Sequence, residues 1–242
     1  MMIVVGSVSG APGASTVALG MAGLWPDRPA LLVEADPAGG VLAARFGLRE
    51  DPGTGSLAAA ARHGHRVENA GPFVQHLPLY FPVVPAPGGA ERAAGTVAVL
   101  AAHPDTALAG LAPMVIVDVG RLYPGSPALN LVRAAAAVVL VAWPGTEYLN
   151  HLDTRLPDLP STGMGVALTG RGGFPAGEVA HRLGVPVWAQ LPRDRWGAGV
   201  LAGRLTGRAW GRTRLGQAVR ALAVTVADAA GQPAVTRAGV PS

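Results

Sequence analysis

Ile3-Val4-Val5-Gly6-Ser7-Val8 runs directly into Ser9-Gly10-Ala11-Pro12-Gly13-Ala14-Ser15-Thr16, and an apolar stretch over 17–24 follows. Four β-branched residues within six predict a buried strand, and the stretch after Gly13 is helix-compatible. A glycine-rich loop that ends in hydroxyl residues at a helix start can cradle a phosphate, because backbone N–H groups and the helix N-terminus face an anion together. An ordinary tight turn between strand and helix can use the same residues. The usual phosphate-loop pattern, G-x-x-x-x-G-K-[ST], also needs a lysine. This chain has none, and all 19 of its basic residues are arginine.

Working outward, short apolar runs recur at 30–33, 79–84, 114–119, 137–142, 165–168 and 185–190, each of strand length and bounded by turn residues. Helix-compatible stretches lie between them, at 56–62, 90–103, 128–134, 175–183 and 215–229. Near-continuous apolar strands alternating with helices predict an α/β fold: a doubly wound, mostly parallel sheet of about seven strands, helices on both faces and the 3–8 strand central. A single domain over 1–230 is expected. The proline-rich segment 51–89 reads as a small helix and a strand between longer loops, and 231–242 as a disordered tail.

Composition narrows the classes further. Of 242 residues, 50% are hydrophobic and 14% charged, which excludes a disordered or highly charged tail protein. No cysteine is present, which removes disulfides, thiolate nucleophiles and Cys-ligated metal sites. The uncharged first 26 residues are broken by glycine, serine and proline and lack the basic start of a signal peptide. The most apolar run, 134–143, is about half of what a bilayer span needs. The expected location is the cytoplasm. The bias toward Arg, Ala, Gly and Pro fits a GC-rich genome such as an actinobacterium's.

Three further stretches fall at matching places on successive strands: Glu34-Ala35-Asp36-Pro37-Ala38-Gly39-Gly40, Val115-Ile116-Val117-Asp118-Val119-Gly120-Arg121 after the expected fourth strand, and Leu191-Pro192-Arg193-Asp194. With the first loop, they resemble the ParA/MinD family of deviant P-loop ATPases: its K-G-G-x-G-K-[ST]-[ST] loop, its D-x-D-P-Q-G strand end, its hydrophobic-D Walker B strand and its late P-x-D loop. The resemblance spans nearly the whole chain by element order. It implies ATP and Mg²⁺ as cofactors, with Gly10, Ala11, Pro12, Gly13, Ala14, Ser15 and Thr16 around the phosphates. By the same resemblance Ser15 and Asp118 hold Mg²⁺, and Asp36 orients the attacking water, with Glu34 at the preceding acidic position. Thr169 and Gly170 stand where an adenine-reading Asn is often placed, and Pro192 and Asp194 flank the base.

Two departures are severe. Ser9 stands at the family's signature lysine and Ala14 at the P-loop lysine, and neither can supply the positive charge that phosphoryl transfer needs. The resemblance therefore implies a degenerate P-loop, a probable pseudo-ATPase in the sense of weak or absent turnover, acting as a positioning or assembly factor. CpaE-like relatives that localise pilus or secretion machinery, and partition proteins, are the branches considered. The alternative is an active Mg-ATP-dependent ATPase with arginine in place of lysine, Arg121 being the nearest candidate; as a surface residue it can equally be solvated or ion-paired.

Other constellations are weaker. His63 and His65 lie in a loop without metal spacing, no G-x-S-x-G elbow supports a hydrolase triad, and G-x-G-x-x-G is not met. Residues 193–220 carry seven arginines against one acid. That face can meet the phosphates of nucleic acid or of an anionic membrane, which would place the protein peripherally at the membrane, or can be a solvated rim. Protein partners and a homodimer are also expected from the resemblance.

Overall fold

The computed structural model describes residues 1–10, 13–26, 29–79, 81–160 and 163–231. Along the chain run β1 (Met2–Ser7), α1 (Ala14–Gly23), β2 (Leu31–Glu34), α2 (Leu42–Phe46), α3 (Thr54–Ala61), β3 (Gln75–His76), β4 (Pro82–Val84), α4 (Ala90–Ala102) and α5 (Pro104–Ala107). There follow β5 (Val115–Arg121), α6 (Leu129–Ala134), β6 (Ala137–Ala142), α7 (Thr146–Arg155), β7 (Met164–Thr169), α8 (Ala176–Leu183), β8 (Val187–Leu191), α9 (Arg195–Leu201) and α10 (Arg214–Gly231).

The strands form one eight-stranded sheet in the order β3-β4-β2-β5-β1-β6-β7-β8. Every pairing is parallel except β3 with β4 at the edge. Strand β1 is central, as its unbroken apolar run requires, since only a strand covered on both faces hides every side chain. Successive side chains of β1 point to opposite layers. Val4 joins the core beneath α3, α4, α6 and α8, whereas Ile3 and Val5 join the core beneath α1, α9 and α10.

The eighth strand is β3, a two-residue edge pair with β4 that has no apolar run to announce it. The strand expected at 79–84 is confined to Pro82–Val84, because the prolines that precede and follow limit its ladder. The aspartate expected after the fourth strand lies on the fifth, β5. Helices α2, α5, α7 and α9 were not legible. Three are seven residues or shorter, and α7 is mostly polar, with Leu152 its one buried side chain. Helix α10 extends to Gly231; the rest of the expected tail, 232–242, lies outside the described residues.

Helix α1, which carries the loop's C-terminal end, is held by close approach to α10. An added Cβ at Gly20 would stand 3.0 Å from Val219 Cγ1 and 3.4 Å from Leu201 Cδ1. Glycine costs helix stability, so its use here reflects packing. Gly20→Val should overpack this contact and destabilise the fold by about 1–3 kcal/mol. A lower urea midpoint with an unchanged m-value is expected, and an unchanged midpoint would show that α10 does not lock α1.

Candidate functional site

The carboxyl ends of the parallel strands open at one edge of the sheet. The chain leaves β1 toward β2 on one side and later adds β6 on the other, so the strand order reverses beside β1. In open parallel sheets ligands sit in the crevice at such a point. There Gly13, at φ 98°, adopts the left-handed conformation that favours glycine, and its carbonyl accepts the Val17 N–H at 2.9 Å to start α1. Ala14, at the P-loop lysine position, is the buried first residue of that helix. Ser9 is buried as well, and the Ser7 hydroxyl donates to its carbonyl at 3.0 Å. Ala11 and Pro12 lie outside the described residues.

Three carboxylates stand at the ends of β2 and β5. Asp118 is paired in register with Val5 and with Glu34. The Ser15 hydroxyl and the Gly120 N–H, at 3.1 Å, bond its carboxylate, yet burial pushes its pKa up to about 6. Asp36 accepts the Ala38 N–H at 2.8 Å and is raised by partial burial. Its carboxylate occupies the space where a Cβ on Gly120 would stand, and Gly120 is at φ 59°. Only glycine meets both conditions, which brings Asp36 against the end of β5. Among the described residues no three His, Asp or Glu side chains group as a metal site.

Glu34 does something else. Its Oε1 accepts the N–H groups of Val41 at 2.6 Å and Leu42 at 3.1 Å, and its Oε2 that of Ala86 at 2.9 Å. One buried side chain thus ties the loop after β2 to the loop after β4. Burial raises it to about 7, against the lowering by those amides.

On the other side of α1 lies a cavity of about 550 Å³. Gly10, Gly13 and Thr16 form one wall; Thr169, Gly170, Pro192 and Asp194, from the ends of β7 and β8, form another. Two sets of residues far apart in sequence are therefore brought to one space of nucleotide size. Of the second set, Thr169 donates its hydroxyl to the Ala142 carbonyl at 3.4 Å. Asp194 caps α9 through the Gly197 N–H at 2.9 Å and accepts the Leu215 N–H at 3.2 Å, contacts that hold its carboxyl below the usual range.

Trp143, Tyr148 and Arg195 also line the cavity and were not identified as site residues from sequence; Arg193, inside the stretch from Pro192 to Asp194 expected to flank the base, lines it too. The Arg193 guanidinium lies 4.7 Å from the Trp143 ring centroid, and Tyr148 meets the same indole edge-on. Trp143 follows β6 directly, so its place at a strand's carboxyl end was the available signal. Arg121 does reach the phosphate loop's strand, Nε donating to the Val8 carbonyl at 3.3 Å, but it does not line the cavity. Arg45 on α2 lowers Asp118 by its charge, and its Nη1 is buried with no hydrogen-bond partner among the described residues.

No protein-family profile matches this chain, and no curated protein matches it. Solved structures do. A ParA family ATPase from Chlorobium tepidum superposes with a TM-score of 0.72 at 17% identity, covering 92% of this chain and 97% of that one. The septum site-determining protein MinD from Pyrococcus horikoshii, solved with Mg-ADP, gives 0.73 at 17%, covering 95% and 97%. A MinC:MinD cell division complex from Aquifex aeolicus gives 0.69 at 14%, covering 98% of each chain. The chain has the ParA/MinD P-loop NTPase fold.

Glu34 makes the fold pH-dependent. Its pKa is about 7 when folded against 4.5 for the free side chain, so the folded chain keeps a proton that the unfolded chain releases. Burial of Glu34 carries no penalty below about pH 4.5, and the penalty grows until about pH 7, reaching on the order of 3 kcal/mol. The urea midpoint should therefore fall between pH 5 and pH 8, and Glu34→Gln should flatten that fall. A midpoint that rises over the same range would contradict the assignment.

Proposed function

We propose that this protein is a ParA/MinD-like positioning or assembly factor that retains a nucleotide cavity and turns ATP over weakly or not at all. The observation that supports this most is the convergence of Gly10, Gly13 and Thr16 with Pro192 and Asp194 on one cavity, beside an alanine at the lysine position. The eight-stranded, mostly parallel sheet with helices on both faces supports the same reading. What is missing is charge.

The donors near Asp118 fit magnesium in part. A hydroxyl and a carboxylate are the hard oxygen ligands it takes, and Ser15 and Asp118, already hydrogen-bonded to each other, would hold it. Bound Mg-ATP would supply a transferable phosphoryl group. The amides of Gly10, Gly13, Ala14 and Ser15 would orient the phosphates, and Pro12 has no N–H to give. Asp36, half-buried and raised in pKa, is placed to orient a water beside Asp118. Charge that would develop on a transferred phosphoryl group finds no lysine in this chain to offset it, and Ser9, buried in its own loop, carries no positive charge.

The second reading, an active ATPase that uses arginine, is favoured by one contact: Arg121 is tied to Val8 at the mouth of the loop. The cellular role we assign is that of an adaptor that works through protein partners, in the manner of CpaE-like relatives, from the cytoplasm or peripherally at the membrane. A homodimer is compatible with it. The seven arginines of 193–220 are all exposed and give it an anion-seeking face for nucleic acid or acidic lipid. No helix among the described residues is long and apolar enough to cross a membrane.

Titrating the purified chain with Mg-ATP while following phosphate release tests the central claim. Phosphate release at background is expected. Turnover at ordinary ATPase rates, abolished by Asp36→Ala, would establish the arginine reading instead. Ala14→Lys should tighten Mg-ATP binding roughly tenfold, the size of one charge-assisted contact. No gain by calorimetry in a folded variant would make the loop a structural turn.

A further inference from the structure

The cations that line the nucleotide cavity stand at its base end. Arg193 and Arg195 flank Asp194 on the segment that leaves β8, just after Pro192, and both are exposed. Arg195 also lines, with Thr16, an adjoining groove along α9, so its side chain borders the phosphate loop from two sides. At the far end the position of the P-loop lysine is an apolar alanine. Beyond it lie Asp36 and Asp118, neither of which lines the cavity. Arg121 is bound to Val8, and Arg45 faces Asp118.

The cavity wall is also suited to a flat ring. Gly170 leaves room for Trp143 and Arg193: an added Cβ would stand 2.9 Å from the indole Nε1 and 3.1 Å from the Arg193 Nε. A base held near Trp143 and Pro192 would point its phosphates toward Gly10, Gly13 and Thr16, and Arg195 is the cavity cation that shares a second groove with Thr16. Toward the far end the cations are Arg45, set against the charge of Asp118, and Arg121, bonded to Val8, and neither lines the space that successive phosphates would enter.

Resting on the nucleotide reading above, we infer that this site holds a nucleoside phosphate by its base and first phosphate, with Arg195 as the cation, and does not distinguish a terminal phosphate, so that ADP and ATP bind alike. The site then reports adenylate as a pool rather than the ratio of ATP to ADP. That output suits a chain without turnover, which has no cycle for the terminal phosphate to drive.

Calorimetric titration of the whole chain with adenosine, AMP, ADP and ATP, with Mg²⁺ present and absent, tests this. ADP and ATP should bind within about threefold of each other, and both at least fivefold more tightly than adenosine. Arg195→Ala should bring AMP, ADP and ATP down to the affinity of adenosine, while Arg133→Ala, at an exposed arginine of α6 outside the cavity, leaves all four unchanged; unchanged thermal melts would show that both variants fold. ATP binding tenfold or more above ADP overturns the inference while keeping the nucleotide reading, and loss of that preference in Arg45→Ala would move the missing cation to Arg45. Equal binding of adenosine and AMP overturns the role of Arg195. Absence of binding by every ligand at millimolar concentration overturns the nucleotide reading itself.

Discussion

The parallel pairing of β1 with β5 on one side and β6 on the other fixes where everything else can stand. A strand hydrogen-bonded along both edges and covered on both faces cannot shift its register without exposing an apolar row. Val5 therefore stays opposite Asp118, and the loop that leaves β1 is delivered beside Ser15 and the end of β5. The reversal of strand order at this point leaves the crevice above β1 open while helices close the flanks. The site is a consequence of the sheet's order, and its chemistry depends on which side chains the loops then supply.

Those side chains set an unusual electrostatic balance. In a lysine-free chain three carboxylates gather near the carboxyl ends of β2 and β5, and the structure holds them by amide and hydroxyl hydrogen bonds rather than by ion pairs. Glu34 is fixed by three backbone N–H groups, Asp118 by Ser15 and Gly120, and Asp36 by Ala38. Burial raises all three pKa values. The ion pairs Arg92–Glu50 and Arg182–Asp153 lie elsewhere, at exposed positions where such pairs contribute little.

The sequence made the sheet legible because buried parallel strands are continuous apolar runs, a signal that needs no tertiary context. Strands β1, β5 and β6 are of this kind. Short helices and the β3 edge were not legible, because their few contacts come from partners distant in sequence. The phosphate-loop half of the cavity was visible from Gly10, Gly13 and Thr16, and the base-end half from Pro192 and Asp194, in both cases through the family resemblance rather than through periodicity. Trp143 and Arg195 were not visible, since neither carries a motif; only the convergence of β6, β8 and α9 on one space identifies them. Glu34 carried an acidic-motif signal, yet its geometry makes it a clamp between two loops.

Asp194 connects this site to the arginine-rich surface. It is the single acid within 193–220, and its two oxygens are engaged by the Gly197 and Leu215 amides, which brace the start of α9 against the start of α10. Helix α10 in turn packs on α1 through Gly20 and Val219, and α1 begins at Gly13 in the phosphate loop. The loop, the cavity wall and the exposed arginines are thus parts of one packed assembly of α1, α9 and α10. Asp194 keeps its negative charge, held by those amides, and offsets one of the seven arginines of 193–220, so the segment stays net positive and its field extends outward into solvent. An anion that settles at the cavity's base end therefore meets the inner margin of the same positive face that a larger anionic partner would approach from outside.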